Sequence, residues 1–262
     1  MRVGVIARDP RHPLLTATAA LLTAVGHWVE FAAPDPADPA DVYLLKARTP
    51  AALALARRLE AAGAVVLNSA AATERCQDRA LMAELAGTAG LPFAPSLSPN
   101  ALRYPLVVKS RHSRKDDLVA KVLDRAELDE LRRQWPGEPL IHQEFAPGDG
   151  WDRKLWVVGR QVFGELRRSE LAAGSGSESW TVPLELAELA LWAGEVFGLE
   201  IYGVDVLEVD GDPLVVDVNA FPGIRGQLGA PEALVRLVQR QVPGPAREGA
   251  RWLRGAGGGW GQ

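Results

Sequence analysis

Cysteine is nearly missing from this sequence: one residue, Cys76, in 262. A single thiol excludes an internal disulfide, and a small buried side chain accounts for it more simply than a reactive nucleophile. Lysine is almost as scarce, five residues against 24 arginines, so a Lys set among apolar residues calls for a reason. No apolar run approaches the roughly 18 residues that a membrane span needs, and the start at Met1 lacks a signal-peptide core with a cleavage site. These absences predict a cytoplasmic protein that meets no membrane. The formal charge of −4 and the pI near 5.7 give no electrostatic reason to expect nucleic acid. The four histidines, at 12, 27, 112 and 142, lack metal-ligand spacing. Neither a Ser-His-Asp nor a Cys-His arrangement is recognisable, and Walker and GxGxxG patterns do not occur.

What is present suffices for one large or two modest domains: 47% of the residues are hydrophobic and 24% charged. Strand, helix and strand signals at Val3–Ala7, Leu14–Val25 and Val29–Ala32 predict a βαβ unit with a parallel sheet. Pro34–Asp41 reads as a surface loop, Val42–Leu45 as a strand, Pro50–Ala62 as a helix closed by Gly63, and Val65–Asn68 as a further strand. The strand ends of this unit carry Arg8, Arg11, His12, Lys46 and Arg48. Open α/β sheets bind ligands there, so either a basic rim for an anionic substrate or scattered solvated charges fits. A helix is expected over Asp78–Ala86 and a strand over Tyr104–Ser110 that ends in Lys109, a lysine at a buried edge that needs an anion. Arg125–Gln134 reads as a helix. Leu140–Phe145 reads as a strand running into the hinge Ala146-Pro147-Gly148.

Two hairpins follow. Trp151–Val158 and Gln161–Arg168 flank Gly159-Arg160, a pair suited to a type II′ turn, which sets Asp152 opposite Arg167 and Lys154 opposite Glu165. Cross-strand ion pairs are the plain expectation there. After a helix over Leu184–Phe197 comes LEIYGVDVLEVDGDPLVVDVNAFPGIRG, Leu199 to Gly226. With a three-residue loop at Asp210–Asp212, Val209 faces Pro213, Asp205 lies opposite Asp217, and Asn219 joins their face, leaving Val204, Val206, Val216 and Val218 on the other. A two-residue loop at Asp210-Gly211 would pair Asp205 with Val216, so the facing requires the three-residue loop or a bulge. Opposed side chains lie about 5 Å apart. Two carboxylates at that distance repel unless a hard cation such as Mg²⁺ joins them. The alternative is a strand that merely ends before the Phe221-Pro222-Gly223 turn.

The string GVDVLE...PLVVDVNAFPG resembles the metal-binding hairpin of the ATP-grasp superfamily, especially its RimK-like ligases and inositol-trisphosphate kinase-like members. The resemblance covers about residues 65 to 240 well and the first 65 in pattern. It implies an α/β ATP-grasp fold, with a small N-terminal αβ domain (1–70), two lobes (71–145 and 146–245) gripping the nucleotide, and a tail (246–262). It implies Asp205, Asp217 and Asn219 as ligands of two Mg²⁺, with Mn²⁺ as an admissible substitute. Lys109, Arg79 and Lys154 would face the ATP phosphates, Glu144, Phe145 and Ala146 the adenine, and Asp152 the ribose, with Arg168 and Lys109 acting in catalysis.

The sequence departs from the family at four points. Asp217 stands where Glu is frequent, and Arg79 where a Lys is usual, so Asp78-Arg79 could equally open an ordinary surface helix. No Gly lies between Lys109 and Trp135, so a lid over the phosphates, Arg111–Lys115, would act through charge. The Gly/Ser-rich stretch Ser169–Ser179 lacks the Arg-Ser-Asn group, which Ser175 and Ser177 replace only in part. The expected function is an ATP- and Mg²⁺-dependent carboxylate–amine ligase acting on an anionic small molecule or peptide, as a monomer or an oligomer. A kinase for a hydroxyl and a non-catalytic nucleotide-binding protein are the alternatives.

Overall fold

The computed structural model describes residues 1–32, 38–114, 116–169 and 176–241. Lys115, Ser175, residues 34–37 of the 34–41 loop and the 246–262 tail lie outside them. No helix among the described residues is long and apolar enough to cross a membrane.

The chain begins as β1 (Arg2–Ile6), α1 (Pro13–Ala24), β2 (Trp28–Phe31), β3 (Val42–Leu45), α2 (Pro50–Ala61) and β4 (Val65–Leu67). Its strands form a parallel sheet of order β2-β1-β3-β4, as alternating strands and helices require. Next come α3 (Ala70–Arg75), capped by Ser69, and α4 (Arg79–Ala89), where the Asp78 carboxylate accepts from the Ala80 and Leu81 amides and Gly90 closes the end at φ 72°. The sequence reading missed α3 and ended α4 a turn early. The antiparallel sheet β6-β5-β7 follows, from β5 (Leu106–Ser110), β6 (Val119–Val122) and β7 (Leu140–Glu144), with α5 (Arg125–Gln134) between the last two. β6 also went unseen: it occupies the glycine-free stretch after Lys109.

β8 (Trp151–Val158), β9 (Gln161–Arg168), β10 (Ser177–Ser179), β11 (Ile201–Val209) and β12 (Asp212–Ala220) build the third sheet, in the order β10-β9-β8-β11-β12. The end of the expected Gly/Ser loop is thus an edge strand. α6 (Leu184–Phe197) packs beneath this sheet, and α7 (Ala230–Gln241) lies against α1. Gly194 on α6 lets the Tyr202 ring approach so closely that a Cβ would collide with it, and the Tyr202 hydroxyl donates to the Ala190 carbonyl at 2.8 Å.

Two side-chain and main-chain clasps join these units. Buried Asn68, just past β4, donates through Nδ2 to the Ile201 carbonyl (2.7 Å) and accepts from the Glu200 and Ile201 amides (2.8 and 2.9 Å). One core runs from Val3, Leu15 and Leu44 of the first unit to Trp156, Ile201 and Leu234 of the third. The linker before β5 is stitched to both neighbouring sheets. The Ala94 amide donates to the Val215 carbonyl, the Val215 amide to the Pro92 carbonyl, and the Glu144 amide to the Pro95 carbonyl, at 2.8, 2.8 and 2.9 Å.

The last hairpin corrects the expected turn. Its loop has two residues, Asp210 and Gly211, both at positive φ (54° and 91°), so that Val209 pairs with Asp212 and Glu208 with Pro213. Asp-Gly at two positive-φ positions suits a type I′ turn, whose twist matches the strands. Uncorrected, that loop would pair Asp205 with Val216. A β-bulge intervenes: Val206 faces Val215, Asp205 faces Asp217, and Val216 is the surplus residue. Val216 therefore leaves the apolar face assigned to it, and Val215 is buried there beside Val204, Val206 and Val218.

Candidate functional site

A cavity of about 630 Å³ lies where the three-stranded and five-stranded sheets face each other. Lys109, Glu144, Phe145, Ala146, Asp152, Lys154, Asp205 and Asp217 line it, together with Lys121, Gln143, Trp151 and Val216. Arg79, Arg168 and Asn219 stand just outside its lining.

Each polar group arrives there for a local reason. Asp205 pairs in register with Lys154 on β8 and with Asp217 on β12, so three charged side chains share one face at the middle of the sheet. Lys154 Nζ donates to Asp205 Oδ2 at 2.7 Å and lies 4.0 Å from Asp152 Oδ2. The cross-strand pairs expected in the β8–β9 hairpin give way to this arrangement. The register is as read, with Asp152 opposite Arg167 and Lys154 opposite Glu165. β8, however, has β11 on its other side; Lys154 turns to Asp205, and Arg167 pairs with Glu165 of its own strand at 3.0 Å.

Lys109, 6% exposed at the end of β5, donates to the carbonyl of the bulged Val216 at 2.8 Å. Arg79 follows the Asp78 cap directly and is likewise buried. It donates to Asp117 (2.6 Å), the Ser110 carbonyl (2.9 Å) and Asp217 Oδ2 (3.3 Å). Asn219 Nδ2 donates to the same Asp217 oxygen at 3.3 Å. Arg168 is exposed, its guanidinium 3.9 Å from the centre of the Trp151 ring, and Trp151 borders the cavity.

Burial sets the electrostatics, and neighbours decide its outcome. Desolvation pushes the Asp205 carboxyl up; Lys154 opposes this, Asp217 adds to it, and the net direction is upward. Desolvation also presses Asp217 upward, but Lys109, Arg79 and Asn219 outweigh it and hold that carboxyl below its usual range. Burial lowers Lys109, partly countered by Asp217. In Lys154 burial is outweighed by Asp205 and Asp152, and the direction is upward.

The donor set fits a hard cation. Asp217 Oδ1 is buried without a hydrogen-bond partner, an orphaned acceptor whose desolvation is costly. Asp205, Asp217 and Asn219 offer oxygens, with no His or Cys among them. No cluster of three or more His, Cys, Asp or Glu side chains that could hold a metal occurs among the described residues. A cation here would complete its shell from phosphate oxygens and water, the habit of Mg²⁺.

Lys121 escaped the sequence reading, although its Nζ lies 3.9 Å from the centre of the Phe145 ring. Its signal was the scarcity of lysine in a stretch of small apolar residues, Val119–Val122. The Val216 carbonyl, a main-chain group exposed by a bulge, left no sequence signal.

Two sheets facing across a cavity, with the Ala146-Pro147-Gly148 connector at one side and facing carboxylates at the other, fit the ATP-grasp class. The RimK-like ATP-grasp domain family matches residues 94–230, more than half of the chain, and the chain belongs to that family. It is 32% identical over 140 residues to the coenzyme gamma-F420-2:alpha-L-glutamate ligase of Methanococcus maripaludis, covering 50% of this chain and 49% of that protein. It is 26% identical over 192 residues to the ribosomal protein bS6–L-glutamate ligase of Salmonella paratyphi B, covering 65% and 64%. The chain thus spans about half to two thirds of these curated relatives. Among solved structures, the ATP-grasp ligase PsnB complexed with a phosphomimetic variant of its minimal precursor, Mg and ADP superposes with a TM-score of 0.68 at 20% identity. That match covers 92% of this chain and 98% of that one, and it is a likeness of fold.

Proposed function

We propose that this chain is an ATP- and Mg²⁺-dependent carboxylate–amine ligase whose substrate is an anionic small molecule or peptide. One observation carries the reading. A single cavity joins the Glu144–Ala146 segment to Lys109, Lys154 and the Asp205/Asp217 pair, an apolar wall that leads past lysines to carboxylates. Membership of a family whose named relatives are ligases supports it.

In this reading the chain divides as 1–70, 71–145, 146–245 and the tail 246–262. The Glu144–Ala146 main chain, with Phe145, takes the base, and Asp152 takes the ribose. Lys109, Lys154 and, through Asp217, Arg79 balance the phosphate charge. Asp205, Asp217 and Asn219 would hold Mg²⁺, which would supply neutralisation of developing phosphate charge. Arg168, stacked on Trp151, is free to reach a second anion at the mouth. Catalysis then consists of positioning and preorganised charge, with no protein nucleophile. A substrate carboxylate oxygen attacks the γ-phosphorus, the bond to ADP breaks, and an amine displaces phosphate from the acyl phosphate with loss of a proton.

The test is ADP release from MgATP with a panel of anionic carboxylates and amines, followed by product mass. An amide mass is expected. A phosphate-ester mass would assign the chain to hydroxyl phosphorylation, and MgATP binding without turnover across the panel would leave a binding protein.

A further inference from the structure

Beyond the Asp217 end of the hairpin, a second group of cations gathers with no carboxylate in ion-pair contact among the described residues. Lys46, just past β3, donates through Nζ to the Phe221 and Pro222 carbonyls at 3.0 and 2.7 Å. Arg48 is half-buried, and its Nη1 is buried without a hydrogen-bond partner. His12, the residue before α1, has its Nδ1 in the same condition. A Cβ on Gly223 would stand 3.9 Å from His12 Nε2, so the Phe221-Pro222-Gly223 turn passes directly over the histidine. Arg225 is exposed two residues later. Among the described residues no Asp or Glu lies within ion-pair distance of Lys46, Arg48 or Arg225.

Burial first, and mutual repulsion after it, work against the protonated forms of Lys46 and His12. Burial, then Arg48 and Arg225, bring Lys46 down to about 8. Burial, then Lys46 and Arg225, pull His12 below its ordinary value, against the opposing pull of Asp9. Burial also lowers Arg48, although Asp217 and Asp117 work the other way. Cations gathered and partly desolvated with no carboxylate in direct contact are costly to the fold. A purely structural role explains Lys46, which ties the first unit to the turn. It does not explain an orphaned guanidinium nitrogen, an orphaned imidazole nitrogen and Arg225 converging on the same place. That place lies past the carboxyl ends of β1 and β3, where parallel sheets present ligands.

We propose that His12, Lys46, Arg48 and Arg225 form a seat for an anionic group of the substrate, a carboxylate or a phosphate distinct from the carboxylate that reacts. The inference rests on the ligase reading only in placing the reaction beside Asp217. It deepens that reading by requiring a substrate with at least two anionic groups, one anchored at the seat and one presented to the nucleotide.

The test uses the intact chain without nucleotide. Glutarate and inorganic phosphate serve as anionic probes and glutaramide as the neutral isostere of glutarate, followed by isothermal titration, with MgATP titrated separately. Glutarate or phosphate should bind and glutaramide should not; whichever anion binds more tightly identifies the anchored group. Arg225→Met and Arg48→Met should each weaken the anion about tenfold or more, the loss expected for one charge-assisted hydrogen bond, and leave MgATP affinity unchanged within about twofold. Lys109→Ala should do the reverse. Arg225 is exposed, so its replacement keeps the fold, and Arg48→Lys should restore part of the anion affinity lost in Arg48→Met. Absence of anion binding, or anion binding that survives both arginine replacements and is lost with Lys109, overturns the seat. Absence of MgATP binding in the parent chain, with anion binding intact, would instead sink the ligase reading and leave the seat standing.

Discussion

Replacing the two facing carboxylates one at a time should give opposite results for stability, although both carboxylates belong to the same candidate metal cluster. Repulsion alone, the only term visible in the sequence, predicts that Asp217→Asn leaves the fold intact or slightly stabilised. The structure reverses the sign. Asp217 is the common partner of Arg79 (3.3 Å) and Asn219 (3.3 Å) and is flanked by Lys109, with its side chain only 15% exposed. Breaking a buried pair by removing one partner costs about 3–5 kcal/mol. Arg79 keeps Asp117 and the Ser110 carbonyl, Asn keeps an oxygen, and repulsion from Asp205 is relieved, so the expected loss falls to about 1–3 kcal/mol. Asp205→Asn gives up one ion pair with Lys154, which retains Asp152 at 4.0 Å, and frees a carboxylate held unfavourably by burial. Its effect should lie within about 1 kcal/mol of zero. Urea unfolding at neutral pH, with m-values compared, measures both. An Asp217→Asn variant as stable as the parent, or an Asp205→Asn variant that loses more than Asp217→Asn, would refute this account of the cluster's charge balance. Turnover should fall about a hundredfold or more in both, the scale for losing one element of charge stabilisation.

Lys109→Ala should weaken MgATP binding by about 1.5–3 kcal/mol in a titration, and unchanged affinity in a folded variant would remove Lys109 from the phosphate site. The segment after β5 is held by Arg111 on Asp78 (2.7 Å) and Arg114 on Glu138 (2.7 Å). Hydrogen exchange of the Arg111 and Arg114 amides should slow with ATP, while Glu138→Gln should speed it in the free protein; equal rates throughout would exclude a lid. Arg114 leads the causes that hold Glu138 at about 2, against a usual 4.5. The folded value is depressed, so the clasp's contribution is complete above about 4.5 and is lost as pH falls toward about 2, which acid-dependent exchange can follow. Gly194→Ala should cost about 1–3 kcal/mol through overpacking against Tyr202, and a melting temperature unchanged from the parent would contradict the packing described for α6.

Elements with sharp local punctuation were legible in the sequence. α5 matches its reading residue for residue because Asp124 caps it and Trp135-Pro136-Gly137 stops it, and α6 because Pro183 and Gly198 bound it. β6 was not, since four residues of an edge strand following a run of charges carry little periodicity. α3 is six residues long and runs almost without pause into α4. The facing of Asp205 and Asp217 was legible, with a three-residue loop or a bulge as its two means, but the choice between them was not: Asp-Gly favours the two-residue turn locally, and the correction at Val216 is held by Lys109, Pro92 and Ala94 from other segments. The same distinction governs the cations. Lys154 on Asp205 and Arg79 on Asp217 are tertiary encounters that strand periodicity cannot foresee.

The bulge at Val216 also divides the last hairpin mechanically. Its tip half, Val206 to Val215, is fastened through Pro92 and Ala94 to the linker of the three-stranded lobe, and its base is fastened through Ile201 to Asn68 of the first unit. Both halves are ladders, stiff along their length, and the ladder is interrupted only between them. A shift of the linker would therefore be felt at Val216, the one residue of β12 outside the ladder, while β11 stays in register with β8 across the same point. The Val216 carbonyl holds Lys109 of the three-stranded sheet. Linker, bulge and lysine thus form one linkage, which ties the aim of Lys109 to the position of the linker.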